Sequence, residues 1–247
     1  MSDYNREEKS SPQNADQQNI KKIFLDFLIP ILIPSMILQK ASPHIGAIPS
    51  LTIALSIPLL YGAYDFWKTR KHNIFAVLGF ASHLLTGAVI IFEFGALGIA
   101  VKEAAVPLAI GIFVLLTQQR GSPLIRTMLY NPAIFDVQKI QKHLEEKSNV
   151  SAFENLMKNA NLLLAASFVL SATLNFILAI VVIQHDANTV EFTQEYGRMM
   201  LLSWPVIVVP SMIIMFVALW YLVKGISRLT GLNFESILLN KGQTPSQ

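Results

Sequence analysis

The chain has 247 residues, of which 53% are apolar and only 14% are charged. Soluble domains carry about 25% charged residues, so this composition and the mean hydropathy of +0.48 argue against a soluble protein. The absence of cysteine excludes disulfides, thiolate metal sites and a cysteine nucleophile, and the net charge of +3 is modest.

The chain begins with a polar segment, residues 1–20, that has too few apolar side chains to bury a core and is predicted to be a disordered tail. Six apolar stretches follow, each near the length that crosses a bilayer as a helix. Proline in the first stretch is tolerable in a membrane where neighbouring groups satisfy the freed carbonyls. We therefore predict an all-α, polytopic integral membrane bundle of about six transmembrane helices. The predicted spans are residues 23–38, 47–64, 74–92, 97–117, 162–183 and 204–223.

The basic residues are distributed very unevenly around these spans. Sixteen of the 19 Lys and Arg residues precede span one or follow spans two, four and six. Only Lys40 and Arg198 lie on the opposite side, and Lys102 lies within a span. The positive-inside rule then places both termini in the cytoplasm. The predicted organisation is a tail at 1–20, helices one to four within 21–117, a cytoplasmic segment at 118–161, helices five and six within 162–225, and a tail at 226–247.

The segment 118–161 is the only sizeable polar part between spans. It contains two sets of apolar residues at helical spacing, with basic residues on other sides, so we predict short amphipathic helices lying on the membrane surface. A docking surface for a protein partner is a compatible alternative, whereas an independent catalytic domain would need more residues. The two sets are Leu124, Ile125, Met128 and Leu129, and Ile134, Val137, Ile140 and Leu144.

Ionisable residues inside apolar spans are costly and therefore candidates for function. Spans three and four are separated by a short turn near Phe94, so residues equidistant from it are predicted at similar depth. This places His83, Thr86, Lys102 and Glu103 in one intramembrane polar patch. Lys102 and Glu103 are sequence neighbours whose side chains should diverge by about 100°. The patch would bind a cation or relay a proton through Glu103 and His83. The alternative is a structural role, in which the patch only holds two helices together.

Two further groups of polar residues are candidates. The first group lies at the predicted cytoplasmic ends of spans one and two and consists of Asp26, Asp65, Arg70 and Lys71. These charges would form ion pairs or, alternatively, a pocket for an anionic headgroup. In span five, Ser167, Ser171 and Asn175 recur every four residues and form an interhelical polar stripe.

No motif in the sequence indicates an enzyme. There is no Walker A sequence, no His-Glu-x-x-His and no Gly-x-Ser-x-Gly. We therefore predict no catalytic residues, no metal, no cofactor and no nucleic-acid partner, and expect the lipid bilayer as the principal surroundings.

Several short motifs resemble a family of bacterial inner-membrane proteins similar to intracellular septation protein A. They are Tyr-Gly-Ala-Tyr-Asp at 61–65, Leu-Thr-Gly at 85–87, Lys-Glu-Ala at 102–104, Arg-Thr-Met-Leu-Tyr-Asn-Pro at 126–132 and Leu-Asn-Phe at 174–176. The resemblance covers roughly residues 25–180. It implies a polytopic protein of the bacterial inner membrane with a role in cell division or envelope maintenance.

Two functional classes remain open at this point. The first is a structural or interaction protein that acts through helix packing and a partner at 118–161. The second is a small transporter or channel for a proton, a cation or a small solute, which uses the His83 and Glu103 patch.

Overall fold

The computed structural model describes residues 32–69, 74–119, 124–128, 130, 132 and 134–238. These residues are almost entirely helical, and the one β-type pairing among them is an isolated antiparallel bridge between Phe135 and Leu238. The predicted all-α class is therefore confirmed for the described part of the chain. The predicted tail at 1–20 and most of predicted span one lie outside the described residues.

The described helices are named here in chain order. Two short π-helical turns, Ile37–Ala41 and Trp204–Val208, interrupt the α-helical series. The α-helices are α1 (Ser42–Ile45), α2 (Ala47–Thr69), α3 (Ile74–Ile91), α4 (Gly95–Gln119), α5 (Leu124–Met128), α6 (Val137–Glu146), α7 (Val150–Val182), α8 (Val190–Ser203), α9 (Val209–Thr230) and α10 (Phe234–Ile237).

Three helices in the described residues are long and apolar enough to cross a membrane. They are α4, α7 and the helix Val190–Thr230, in which α8 and α9 are joined through the second π-helical turn. Their lengths are 25, 33 and 41 residues. This composition is that of a helical membrane protein, while the six-span count stays a prediction.

The two longest helices begin earlier than their predicted spans, at Val150 instead of 162 and at Val190 instead of 204. At a rise of about 1.5 Å per residue they measure about 50 and 60 Å, well beyond a hydrocarbon core of about 30 Å. The first turns of both helices carry charged residues, such as Glu154 in α7 and Glu191 in α8, that the apolar stretches lack. A hydropathy window finds the apolar part of such a helix and misses its polar extension.

The chain folds into two compact units. One combines Met1–Gly95 with Val182–Leu201, and the other combines Ala96–Val181 with Leu202–Gln247.

In the first unit, α8 lies very close to the first π-helical turn and to the residues just before it. A Cβ atom placed on Gly197 would be 2.8 Å from Leu38 Cβ and 2.9 Å from the backbone oxygen of Ser35. Only glycine permits this approach, because a backbone oxygen cannot rotate away. Leu38 and Phe192 are fully buried in this unit.

A tight turn separates α3 from α4, as predicted. The backbone N–H of Phe94 donates to the carbonyl oxygen of Val89 at 3.0 Å, and Glu93 and Gly95 both adopt φ of 57°. Gly95 takes this left-handed conformation without steric cost, whereas Glu93 is strained by it.

The second unit contains a compact apolar core, which we call the terminal core. It is built from the last turns of α4, from α5 and α6, from the first half of α7, from the last turns of α9 and from α10, together with the Phe135–Leu238 bridge. Its fully buried or nearly buried members are Val114, Ile125, Tyr130, Phe135, Ile140, Leu144, Phe153, Leu156, Met157, Ala160, Leu164, Ala165, Leu222, Ile226 and Ile237.

The terminal core corrects one sequence-based interpretation. Ile125, Ile140 and Leu144 were assigned to helices lying on the membrane surface, yet their side chains are completely buried within the protein. The physical reason is that α7 and α9 extend past their most apolar parts and present apolar faces of their own. The amphipathic helices α5 and α6 cover those faces with their apolar sides.

Candidate functional site

Two members of the predicted intramembrane patch form an ion pair. Lys102 Nζ lies 2.6 Å from Glu103 Oε1 within α4. The prediction that the two side chains diverge is therefore wrong for their charged ends. The flexible four-carbon stem of Lys102 bends back across the angle between the two Cβ directions and brings the ammonium to the carboxylate. The Lys102 side chain is the more buried of the two, at 8% exposure against 25% for Glu103.

The other two members belong to α3. Thr86 is buried, and its hydroxyl donates to the carbonyl oxygen of Ser82 at 3.0 Å, one turn earlier. The side chain of His83 lies outside the described residues. Grouping His83 and Thr86 with Lys102 and Glu103 stays a prediction.

The predicted charge cluster at the ends of spans one and two falls on residues whose side chains the structure does not describe. Asp26, Arg70 and Lys71 lie outside the described residues, and Asp65 is described only as part of the α2 backbone.

The predicted interhelical stripe forms hydrogen bonds with its own helix. Ser167 Oγ donates to the carbonyl oxygen of Leu164 at 2.7 Å, and Asn175 Nδ2 donates to the carbonyl oxygen of Ser171 at 2.8 Å. The hydroxyl of Ser171 is also within 3.5 Å of Asn175 Nδ2. Short polar side chains on a helix readily bond back to the preceding turn, which satisfies them without a partner helix.

The polar link between helices comes instead from Asn161, which the sequence analysis did not single out. It is completely buried, and its Nδ2 donates to the Val114 carbonyl at 2.9 Å and to Gln118 Oε1 at 3.2 Å. Its Oδ1 accepts from the backbone N–H of Ile125 at 3.2 Å. One amide thus joins α4, α5 and α7. The available signal was an asparagine directly before the apolar run of α7, but Asn159 two residues earlier gives the same signal in the sequence.

Polar contacts around the terminal core tie its short helices together. Asp136 caps α6 by accepting from Lys139 N at 3.0 Å, and its own N–H donates to the carbonyl oxygen of Ile237 at 2.9 Å. Asn149 Nδ2 donates to the Leu229 carbonyl at 2.8 Å, so the start of α7 is held to the end of α9.

One hydroxyl within the terminal core is left without a partner. Tyr130 is buried against Phe135 and Phe153, with ring centroids 5.8 and 5.4 Å away. Its hydroxyl has no hydrogen-bond partner among the described residues. Burial raises the pKa of Tyr130 to about 12, and the nearby Arg126 guanidinium only partly opposes this. The phenol is therefore neutral at physiological pH and serves packing.

A half-open groove lies beside the last turns of α9. Two concavities of about 360 and 570 Å³ share Trp220, Lys224 and Ser227 in their walls. Arg228 lines the smaller one, and Phe234 lines the larger one. The Lys224 ammonium lies 4.7 Å from the centre of the Trp220 ring. We call this feature the α9 groove.

A polar junction joins the loop after α7 to α8 in the first unit. The Glu195 carboxylate accepts from the backbone N–H groups of Gln184 at 2.9 Å and His185 at 3.1 Å, and it pairs with His185 Nδ1 at 2.7 Å. The Glu195 hydrogen bond raises the pKa of His185, helped by the charges of Glu191 and Asp186. His185 was not among the residues predicted from the sequence to be functional.

Among the described residues, no three His, Asp or Glu side chains are placed to hold a metal ion. Compared with protein-family models, with curated proteins and with solved structures, the chain matches none of them. The function must therefore be argued from the molecule itself.

Proposed function

We propose that the chain is a protein of the bacterial inner membrane with a structural or interaction role in the cell envelope or in division. The observation that carries the proposal is the terminal core. Short helices that could have lain separately on lipid are instead consolidated into one packed body at the start of α7 and the end of α9.

A packed body of this kind suits recognition of a partner. The apolar residues of α6 are used internally, so its outer face is polar: Gln141, Lys142, Glu145 and Glu146 are exposed. A surface held by a rigid core loses little conformational entropy when a partner binds. Binding is therefore the activity that this body supports best.

The uneven distribution of Lys and Arg supports a cytoplasmic position for this body and for both termini. A six-span topology accounts for that distribution, and the resemblance to the septation protein A group supports an envelope or division role. Both belong to the proposal.

Single-cysteine labelling tests the topology cleanly, because the chain has no cysteine of its own. We expect Lys142→Cys to react with a membrane-impermeant maleimide only after the cells are opened. Asn188→Cys, in the loop between α7 and α8, should react in intact cells. The Lys142 side chain is 75% exposed, and Asn188 is partly exposed in its loop. The reverse labelling pattern would overturn the proposed orientation.

Photo-crosslinking in cells tests the interaction role. A photoreactive amino acid at Gln141 should give a discrete protein adduct, and the charge reversal Lys142→Glu should weaken it. The matched control is the same photoreactive residue at Asn188, which should not give that adduct. If Gln141 gives no adduct while the protein is folded and inserted, this face does not bind a protein.

A second candidate function is ion or proton transport through the predicted patch. The observation that favours it is the Lys102–Glu103 pair inside an apolar helix, where charges are costly and often functional. A neighbouring pair that neutralises itself also suits a purely structural role.

Glu103→Gln distinguishes these roles. If the patch transports, the variant should lose proton or cation flux in proteoliposomes while keeping its yield and thermal stability. If the pair only stabilises the fold, yield and stability should fall together, and the wild type should show no flux above protein-free liposomes. Glu154→Gln is the matched control, because that carboxylate pairs with Arg126 on a partly exposed surface at 2.5 Å.

A further inference from the structure

The α9 groove combines three features on one helical face. Trp220, Lys224 and Arg228 follow one another at intervals of four residues, so they lie along the same side of α9. Trp220 is 61% exposed and Lys224 and Arg228 are also exposed, so this side is open to a ligand.

Within the part of the chain that the structure describes, no carboxylate pairs with the two cations of the groove. Among the described residues, the carboxylate ion pairs involve Lys102, Arg126, Lys142 and His185, and none involves Lys224 or Arg228. The near contact of Lys224 is the Trp220 ring, whose face attracts a cation without cancelling its charge. Two positive charges therefore remain available to an anion.

Apart from Ser227 and the Tyr221 hydroxyl, the remaining walls of the groove are apolar, and they continue towards the apolar part of the helix. Phe216, Leu219 and Val223 line the larger concavity beside Trp220 and Lys224. Phe216 is 56% exposed, and it lies one turn deeper along the same helix. A ligand that matches these walls has an anionic end beside Lys224 and Arg228 and a hydrocarbon part beside Phe216.

We propose that the α9 groove binds an anionic phospholipid, with its phosphate at Lys224 and Arg228 and its acyl chains along Phe216 and Leu219. The aromatic ring of Trp220 lies between the two, as aromatic side chains do at the headgroup level of a membrane. The anionic leaflet faces the cytoplasm. The lipid can therefore reach the groove only if this end of α9 is cytoplasmic, so this proposal rests on the orientation given under the proposed function.

The chemistry of phosphate recognition is shared by a lipid headgroup and by a free phosphate. The apolar walls favour the lipid, because a free phosphate gains nothing from Phe216 and Val223. The two sources differ in a binding experiment, since only the lipid carries the hydrocarbon part.

The test measures lipid binding to the full-length protein in neutral detergent by native mass spectrometry. The probes are phosphatidylglycerol, phosphatidylcholine and inorganic phosphate. Each basic residue near a membrane surface contributes about 1 kcal/mol to anionic lipid binding, so Lys224→Gln with Arg228→Gln should weaken phosphatidylglycerol about thirtyfold. The matched control, Lys142→Gln with Lys158→Gln, removes two exposed charges outside the groove and should change binding less than threefold.

Three outcomes would overturn the proposal. Equal weakening in both double variants would mean that binding follows net charge and not the groove. Equal binding of phosphatidylcholine would remove the role of the anion. Inorganic phosphate competing at equal concentration would identify a site for a soluble anion.

Because the substituted side chains are exposed, a folded protein is expected in every case. Trp220→Ala provides a second test, since it should weaken the binding of phosphatidylglycerol without changing the charge of the groove. Cysteine labelling at Lys142 reports the orientation independently, so failure of this proposal is distinguishable from failure of the topology.

Discussion

The sharpest test of the terminal core is removal of the Asn161 side-chain amide. In Asn161→Leu, the buried N–H of Ile125 loses its acceptor and Gln118 loses a donor. The Val114 carbonyl is less affected, because Thr117 Oγ also donates to it at 2.7 Å. A buried polar group left unpaired costs about 1–3 kcal/mol, and an ordinary hydrogen bond contributes about 1 kcal/mol. We therefore expect a loss of about 2–4 kcal/mol in the free energy of unfolding.

The matched control is Asn159→Leu, two residues earlier in α7. Asn159 is exposed and makes one long hydrogen bond, 3.3 Å to the Tyr221 hydroxyl. Surface substitutions of this kind usually change stability by less than about 0.5 kcal/mol. The pair thus compares the same chemical change at a buried and at an exposed position of one helix.

The assay combines reversible unfolding in mixed detergent with hydrogen exchange followed by mass spectrometry. In Asn161→Leu, the backbone amides of α5 should lose protection before those in the middle of α7, because Asn161 accepts from the first turn of α5. Equal unfolding free energies for the two variants would refute the reasoning. So would an unchanged exchange rate at Leu124–Met128, because the amide would then not be what fixes α5.

Three further predictions concern single contacts. Tyr130→Phe removes a buried hydroxyl that has no partner among the described residues and should raise the free energy of unfolding by about 1 kcal/mol. Because the folded-state pKa of about 12 is above the ordinary value near 10, the wild type should lose more stability than the variant as pH rises from 10 to 12. A Cβ on Gly225 would overlap the methyl groups of Leu156 and lie 3.0 Å from its Cγ, so Gly225→Ala should cost about 1–3 kcal/mol by thermal unfolding. That penalty should vanish in a Leu156→Ala background, and a penalty that persists would contradict the contact. The pKa of His185 is raised by Glu195, so the junction is fully stabilised below the ordinary histidine pKa and loosens as pH rises through the raised value. Hydrogen exchange in the loop 183–189 should therefore accelerate from pH 5 to 8 beyond the intrinsic rate, and Glu195→Gln should abolish the excess.

Much of the helical character could be predicted from the sequence, because it depends on local composition. The apolar stretches at 97–117 and 204–223, and all but the last residue of 162–183, lie within helices suited to cross a membrane. The break near Phe94 was also predictable, since an acidic residue and a glycine interrupt an apolar run. These features depend on the transfer of side chains from water and on backbone preference, which neighbouring residues largely decide.

The tertiary structure decided what covers each apolar face. Helical spacing showed that Ile140 and Leu144 share a side of α6, but spacing is the same whether that side meets lipid or protein. Only the folded chain shows that this side of α6 packs against the extensions of α7 and α9. The same holds for Asn161 and for Glu195, whose partners at Val114, Ile125 and His185 are set by packing between separate segments. A polar side chain reveals its need for a partner in the sequence, whereas the identity of that partner depends on distances that arise only on folding.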